Sequence, residues 1–185
     1  GRPIDTTKYF AICSNVLGGC RGTTGPNFTD PSTGQPYGAD FPIVTVGDMV
    51  NVQALLVDHL GIDKLLAVIG GSLGGFQALA WATRFPDRIA GCLPLATSPR
   101  LTSQGIAFDV VARNAIRQDA NFRNGQYYGK AVPEAGLAIA RMLGHITYLS
   151  RESMERKFDP TRFQPRDVPT AFEKKFSVGS YLAYQ

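Results

Sequence analysis

The sequence holds only two histidines, three cysteines and one tryptophan among 185 residues. Cys13, Cys20 and Cys92 are an odd number, and no two stand at C-x-x-C spacing. That argues against a disulfide framework and fits reduced cytosolic thiols; no metal site is expected. No apolar run approaches the ~18 residues of a membrane-spanning helix, so the expectation is a soluble, cytoplasmic protein with no membrane partner. Basic clusters are missing too. The net charge is +4, but the 19 lysines and arginines are scattered. A nucleic-acid surface needs them gathered, so no nucleic-acid partner is expected. The mild positive balance leaves room for an anionic small substrate. The opening GRPIDTTKYF has neither an initiator Met nor a charged-then-apolar leader, which suggests a piece of something longer.

What is present is an ordinary globular composition, 44% hydrophobic and 18% charged, enough for one domain with a core. Tyr9 to Cys13 is a short apolar run that reads as a buried strand. A Gly-, Pro-, Asn- and Asp-rich loop runs from Ser14 to Pro42, a length that points to function or disorder. Thr45-Val46-Gly47-Asp48 fits a capping box with Thr45 as N-cap. Met49, Val52, Leu56 and Leu60 then recur at helical spacing, and Gly61 suits the position past the helix end. Lys64 to Ile69 reads as a second strand. Leu73 to Arg84 reads as a helix apolar on nearly every side, hence deeply packed. Arg88 to Leu95 reads as a third strand. This alternation predicts an α/β fold with a mostly parallel sheet covered by helices on both faces. After Ala96 the texture is helical, over 104–118 and 133–149. The expected organisation is a partial α/β core over 1–97 and a helical lid region over 98–185.

The chemistry concentrates in residues 65–81, LLAVIGGSLGGFQALAW, where one hydroxyl stands among four glycines. Gly70-Gly71-Ser72-Leu73-Gly74 satisfies G-x-S-x-G, the nucleophile elbow. In that geometry Ser72 sits on a strained turn at the strand's carboxyl end, and the Leu73 amide opens the next helix. The amide, aided by the helix dipole, can stabilise the oxyanion of a tetrahedral intermediate. The bland alternatives are a glycine-rich turn with an incidental serine, and a phosphate-binding turn. A dinucleotide fingerprint is disfavoured, because Ser72 takes the place of its middle glycine.

A serine needs a base. His59 precedes Ser72 near a helix end and reads as solvated; His145 follows it but lies within a predicted helix. Neither is assigned as the base, and the catalytic Asp and His are expected outside this chain.

Four stretches in order, CSNVLGGCRGTTGP (13–26), PYGADFPIVTVGDMV (36–50), GGSLGGFQALAWA (70–82) and ARMLGHITYLS (140–150), resemble the homoserine O-acetyltransferases of methionine biosynthesis. The likeness extends over essentially the whole chain. It implies an α/β-hydrolase fold with a helical lid, of which this chain is a central fragment, and a homodimer formed through the lid. It also implies ping-pong transfer from acetyl-CoA through a serine matching Ser72 to the hydroxyl of L-homoserine, with no cofactor. By the same likeness Arg141 and Tyr148 match residues that contact the amino-acid substrate. Seven residues apart, they share a helix face roughly 10 Å along its axis. Leu137 and Gly144 complete that stripe, and a guanidinium suits a carboxylate. The alternatives are a homoserine O-succinyltransferase or serine O-acyltransferase of the same family, a small-ester serine hydrolase, and a non-catalytic α/β interaction module.

Overall fold

The computed structural model describes residues 4–19 and 21–158. Cys20 and the part of the expected lid beyond residue 158 lie outside the described residues. The chain divides into two compact units, with the boundary between Leu101 and Thr102.

In the first unit the order is helix α1 (Val46–His59), strand β1 (Val68–Gly71), helix α2 (Leu73–Arg84), a 3-10 turn at Pro86–Arg88 and strand β2 (Cys92–Leu95). The capping box forms as expected. Thr45 Oγ1 accepts from the Asp48 N–H, and the Asp48 carboxylate accepts from the Thr45 N–H at 2.8 Å. The Thr45 hydroxyl also donates to the Asp48 carboxylate at 2.6 Å, and this bond first, then the one from the Thr45 N–H, holds the Asp48 carboxyl below the usual carboxylate range. At the other end Gly61 takes φ 68°, and the Gly61 and Ile62 N–H groups bond back to Asp58 and Val57 in a Schellman closure. Val50, Ala54 and Val57 of α1 pack on Trp81 of α2, and Ile62, Leu65, Val68, Phe85 and Ile89 surround that core. Arg88 ties the strand-to-strand connection to the end of α1. Its guanidinium donates to the Asp63 and Ile62 carbonyls and pairs with Asp58 at 2.7 Å.

Strands β1 and β2 run parallel, with Val68 opposite Cys92 and Gly71 opposite Leu95. β2 keeps only the end of its expected run, and β1 begins at Val68 and continues two residues past the expected Ile69, to Gly71. Leu65 and Ile89 make only an isolated parallel bridge, and Arg88 belongs to the 3-10 turn. Tyr9–Cys13 is not a strand among the described residues: it is irregular, and Phe10 is 76% exposed. Apolarity predicts burial, but a strand also needs a neighbouring backbone to pair with. The sheet is likewise not covered on both faces by the described residues, since Ile69, Leu93 and Leu95 remain exposed. Helix α2 buries a stripe (Gly75, Gln77, Ala78, Trp81) and not its whole circumference. The long loop is internally braced. Asn15 Nδ2 donates to Thr23 Oγ1 at 2.8 Å and to the Arg21 carbonyl, and Thr29 bridges Pro36 across a turn.

The second unit contains α3 (Ser103–Gln118), α4 (Glu134–Thr147) and α5 (Arg151–Lys157). Helices α3 and α4 pack closely at Gly136, where a Cβ would lie 2.6 Å from Ile116 Cα. Pro133 precedes α4 and cannot cap it with a side chain. The cap comes instead from Asp119, just past α3, which accepts from the Gly136 N–H at 2.9 Å and from Asn121 N–H at 2.8 Å. Those bonds, Gly136's first, hold the Asp119 carboxyl below the usual carboxylate range. A lowered folded-state pKa gives stability that is full above the unfolded value and is lost as pH falls through the folded one. Asp119→Ala is therefore expected to lower the thermal midpoint by about 2–4 °C at pH 7. In melts below about pH 4 the difference from the parent should shrink. A gap independent of pH would deny the carboxylate this capping role.

Candidate active site

Ser72 stands between β1 and α2 with φ 53° and ψ −116°, a conformation that a residue with a Cβ rarely adopts. Its own N–H donates to the Leu95 carbonyl at 3.0 Å, so the end of β2 fixes the turn. Serine at an N-cap normally turns its hydroxyl back onto the helix. Thr45, Thr102 and Ser150 do so at the starts of α1, α3 and α5, each accepting from an N–H three residues on. Ser72 does not. Its side chain makes no capping bond, and the residue is exposed. The hydroxyl is thereby available to a reacting carbon. Leu73 opens α2, where the first N–H groups have no intrahelical acceptor and the helix dipole adds partial positive charge.

The four glycines do different work. A Cβ on Gly70 would collide with the Gly74 carbonyl, and one on Gly75 would lie 2.6 Å from Thr97 Cβ. At Gly71 and Gly74 nothing among the described residues lies within 4 Å of such an atom. Two glycines thus let α2 fold back tightly over β1 and the segment after β2. That segment is itself unusual: Ala96 has φ 47°, and Thr97 Oγ1 is buried without a hydrogen-bond partner among the described residues.

Helix α4 carries the other candidates. Arg141 is exposed and, with Glu134, Leu137 and Ala138, lines an open hollow of about 370 Å³. Tyr148 is the C-cap of α4, still in helical geometry. It is 84% exposed, with its ring over Gly144. Arg141 and Tyr148 therefore belong to one helix stripe, with Glu134 as an opposing charge in the hollow. His145 Nδ1 lies 2.9 Å from the Arg141 carbonyl, and His59 is exposed in the last turn of α1. Ser72 and His145 belong to different units.

Gln77 escaped the sequence reading, although a glutamine inside an otherwise apolar helical stripe was visible there. It is 6% exposed and takes part in a polar chain across α1 and α2.

The sequence pattern of the alpha/beta hydrolase fold family matches residues 1–183. The chain belongs to that family. Among its relatives, the bifunctional methionine biosynthesis protein MetXA/MetW of Rhodopirellula baltica is 60% identical over 188 residues, covering 100% of this chain and 30% of that protein. The homoserine O-acetyltransferase of Desulfotalea psychrophila is 54% identical over 185 residues (100% and 47%). The homoserine O-succinyltransferase of Magnetococcus marinus is 52% identical over 193 residues (100% and 49%). The chain thus spans half the length, or less, of these relatives. Among solved structures, esterase E22 superposes with a TM-score of 0.79 at 31% identity, over 92% of this chain and 48% of that one. The homoserine O-acetyltransferase from Bacillus anthracis does so with a TM-score of 0.70 at 28% identity, over 88% and 43%. The resemblance noted in the sequence holds over the full chain. No helix among its described residues is long and apolar enough to cross a membrane.

Proposed function

We propose that this chain carries the nucleophile of a homoserine O-acetyltransferase of methionine biosynthesis, with Ser72 attacking acetyl-CoA. In the first half-reaction Ser72 Oγ bonds to the thioester carbonyl carbon and the C–S bond breaks. The hydroxyl proton passes, through a base placed outside this chain, to the departing thiol. In the second, the side-chain hydroxyl of L-homoserine attacks the acyl-serine carbonyl, the bond from that carbon to Ser72 Oγ breaks, and the homoserine hydroxyl proton passes through the same base to Ser72. The Leu73 N–H faces the oxyanion in both steps. Serine, thioester and acceptor hydroxyl complete this chemistry, so the proposal includes no cofactor. The observation that carries it is the Ser72 hydroxyl, held at positive φ and withheld from helix capping. Relatives named homoserine O-acetyltransferase, identical at about half of all positions, supply the substrate class.

Arg141 is proposed to pair with the acceptor's α-carboxylate, with Tyr148 beside it. Arg141→Ala is then expected to weaken use of homoserine by about one to two decades, the worth of a charge-assisted contact of ~1.5–3 kcal/mol. Acyl-enzyme formation from acetyl-CoA should change far less. Stopped-flow measurement of the two half-reactions separates these effects, and equal losses in both would reduce Arg141 to a structural part.

A cytoplasmic homodimer formed through the second unit belongs to the same proposal. It is supported by apolar side chains left exposed on α3 and α4, among them Val111 and Ile139. The likeness to esterase E22 favours a second reading, in which water takes the acyl group. Acyl transfer from acetyl-CoA and succinyl-CoA to homoserine, serine and water, measured side by side on the complete protein, decides among these. Hydrolysis faster than transfer to either amino acid would favour the esterase.

A further inference from the structure

We propose that Gln77 is a positioning residue for acylation, acting through the Leu73 carbonyl; this rests on the reading of Ser72 as nucleophile and the Leu73 N–H as oxyanion donor. Gln77 sits one helical turn beyond Leu73, and its Nε2 donates to the Leu73 carbonyl at 3.3 Å. Its Oε1 accepts from Gln53 Nε2 at 2.6 Å, and Gln53 Oε1 accepts from the Trp81 indole N–H at 2.8 Å. The donors run in one direction, from Trp81 to Gln53 to Gln77 to Leu73. The chain begins on a tryptophan that is 2% exposed, within the α1–α2 core, and ends on the first turn of α2.

Packing alone does not call for an amide here, because a buried amide costs free energy unless each group is bonded, and a methionine would fill similar space. What the amide adds is direction. The Leu73 N–H and C=O lie in successive peptide planes joined at one Cα, so fixing the carbonyl limits rotation of the N–H. The preceding amide, Ser72 N–H, is held from the other side by Leu95. The nucleophile and the oxyanion donor are thus tied to opposite supports, β2 for one and α1 for the other.

Two substitutions separate the possible roles in the complete enzyme. Gln77→Met keeps the volume and loses both bonds. Gln77→Glu, assayed at alkaline pH where its buried carboxyl is ionised, keeps an oxygen that accepts from Gln53 and loses the donor to Leu73. With 4-nitrophenyl acetate as probe, the burst amplitude counts folded, competent sites, while the burst rate constant reports acylation. Both variants are expected to acylate about tenfold more slowly at unchanged KM, because misplacement at the reacting centre acts on the chemical step. Gln53→Met, which leaves the Leu73 bond in place, should lose about two- to threefold. Wild-type rate constants in Gln77→Glu would overturn the proposal, and so would losses confined to amplitude and thermal midpoint. Should Gln77→Met not fold, Gln77→Glu and Gln53→Met carry the same comparison. A burst that survives in Ser72→Ala would show instead that the reading of Ser72 itself has failed, and the proposal would fall with it.

Discussion

Ser72→Ala is expected to abolish acyl-enzyme formation while leaving the thermal midpoint of the protein nearly unchanged. The expectation of an intact fold comes from the cap geometry. Where an N-cap hydroxyl bonds its helix, as at Thr45, replacement by alanine costs ~1 kcal/mol. The Ser72 hydroxyl makes no such bond, so α2 loses nothing with it. Backbone strain at φ 53° is shared by serine and alanine, since both carry a Cβ. Function is another matter. Removing the nucleophile of a serine enzyme costs kcat by about six orders of magnitude, with a residue supplied by the oxyanion donor and substrate binding. In the complete enzyme, intact-protein mass after mixing with acetyl-CoA should show one added acetyl group on the parent and none on the variant. An acetylated, active variant would show that the nucleophile lies elsewhere. A midpoint lowered by several degrees would show that the hydroxyl has a structural partner.

Gly70→Ala is expected to be the most damaging single-methyl change in the first unit. Its Cβ would run into the Gly74 carbonyl, which is backbone on the first turn of α2 and has no rotamer with which to yield. Either β1 and α2 part or the peptide at Ser72 turns, and both move Oγ and the Leu73 N–H from their common target. Overpacking against backbone costs ~1–3 kcal/mol or more, and a displacement near 1 Å at a reacting centre costs about 10²-fold in rate. Gly71→Ala provides the comparison one residue away, where the added atom has open space among the described residues. Thermal melts and acylation rates of the pair should therefore diverge sharply. Equal tolerance at the two positions would mean that the close approach of α2 to β1 is not needed for the turn.

The ends of α1 were legible because their chemistry is local. A hydroxyl and a carboxylate three residues apart close the N-terminus, and a glycine at positive φ closes the other end, whatever surrounds them. The bounds of α2 and the place of the elbow were legible for a similar reason: the glycines mark the turn, and Phe85-Pro86 ends the helix. The strands were less so. YFAIC and RIAGCLPL carry the same apolar signal, yet only the last four residues of the second form a described strand. Apolarity encodes a preference for burial and leaves the partner backbone unnamed.

By itself, then, the sequence determined the elements closed by their own near neighbours, the G-x-S-x-G turn, and the family resemblance that relatives across the full chain uphold. Tertiary structure decided that Gly75 is indispensable, since that depends on Thr97 being brought against it. It decided that Asp119 caps α4 through Gly136, 17 residues away from it along the chain, and that Gln77 ties the elbow to α1. It also decided that Ser72 keeps its hydroxyl from α2, although serine at that position would otherwise cap the helix. The physical reason is the same throughout. Bonds between residues one turn apart follow from the local chain, whereas steric limits and long-range bonds exist only once the fold has set distant atoms side by side.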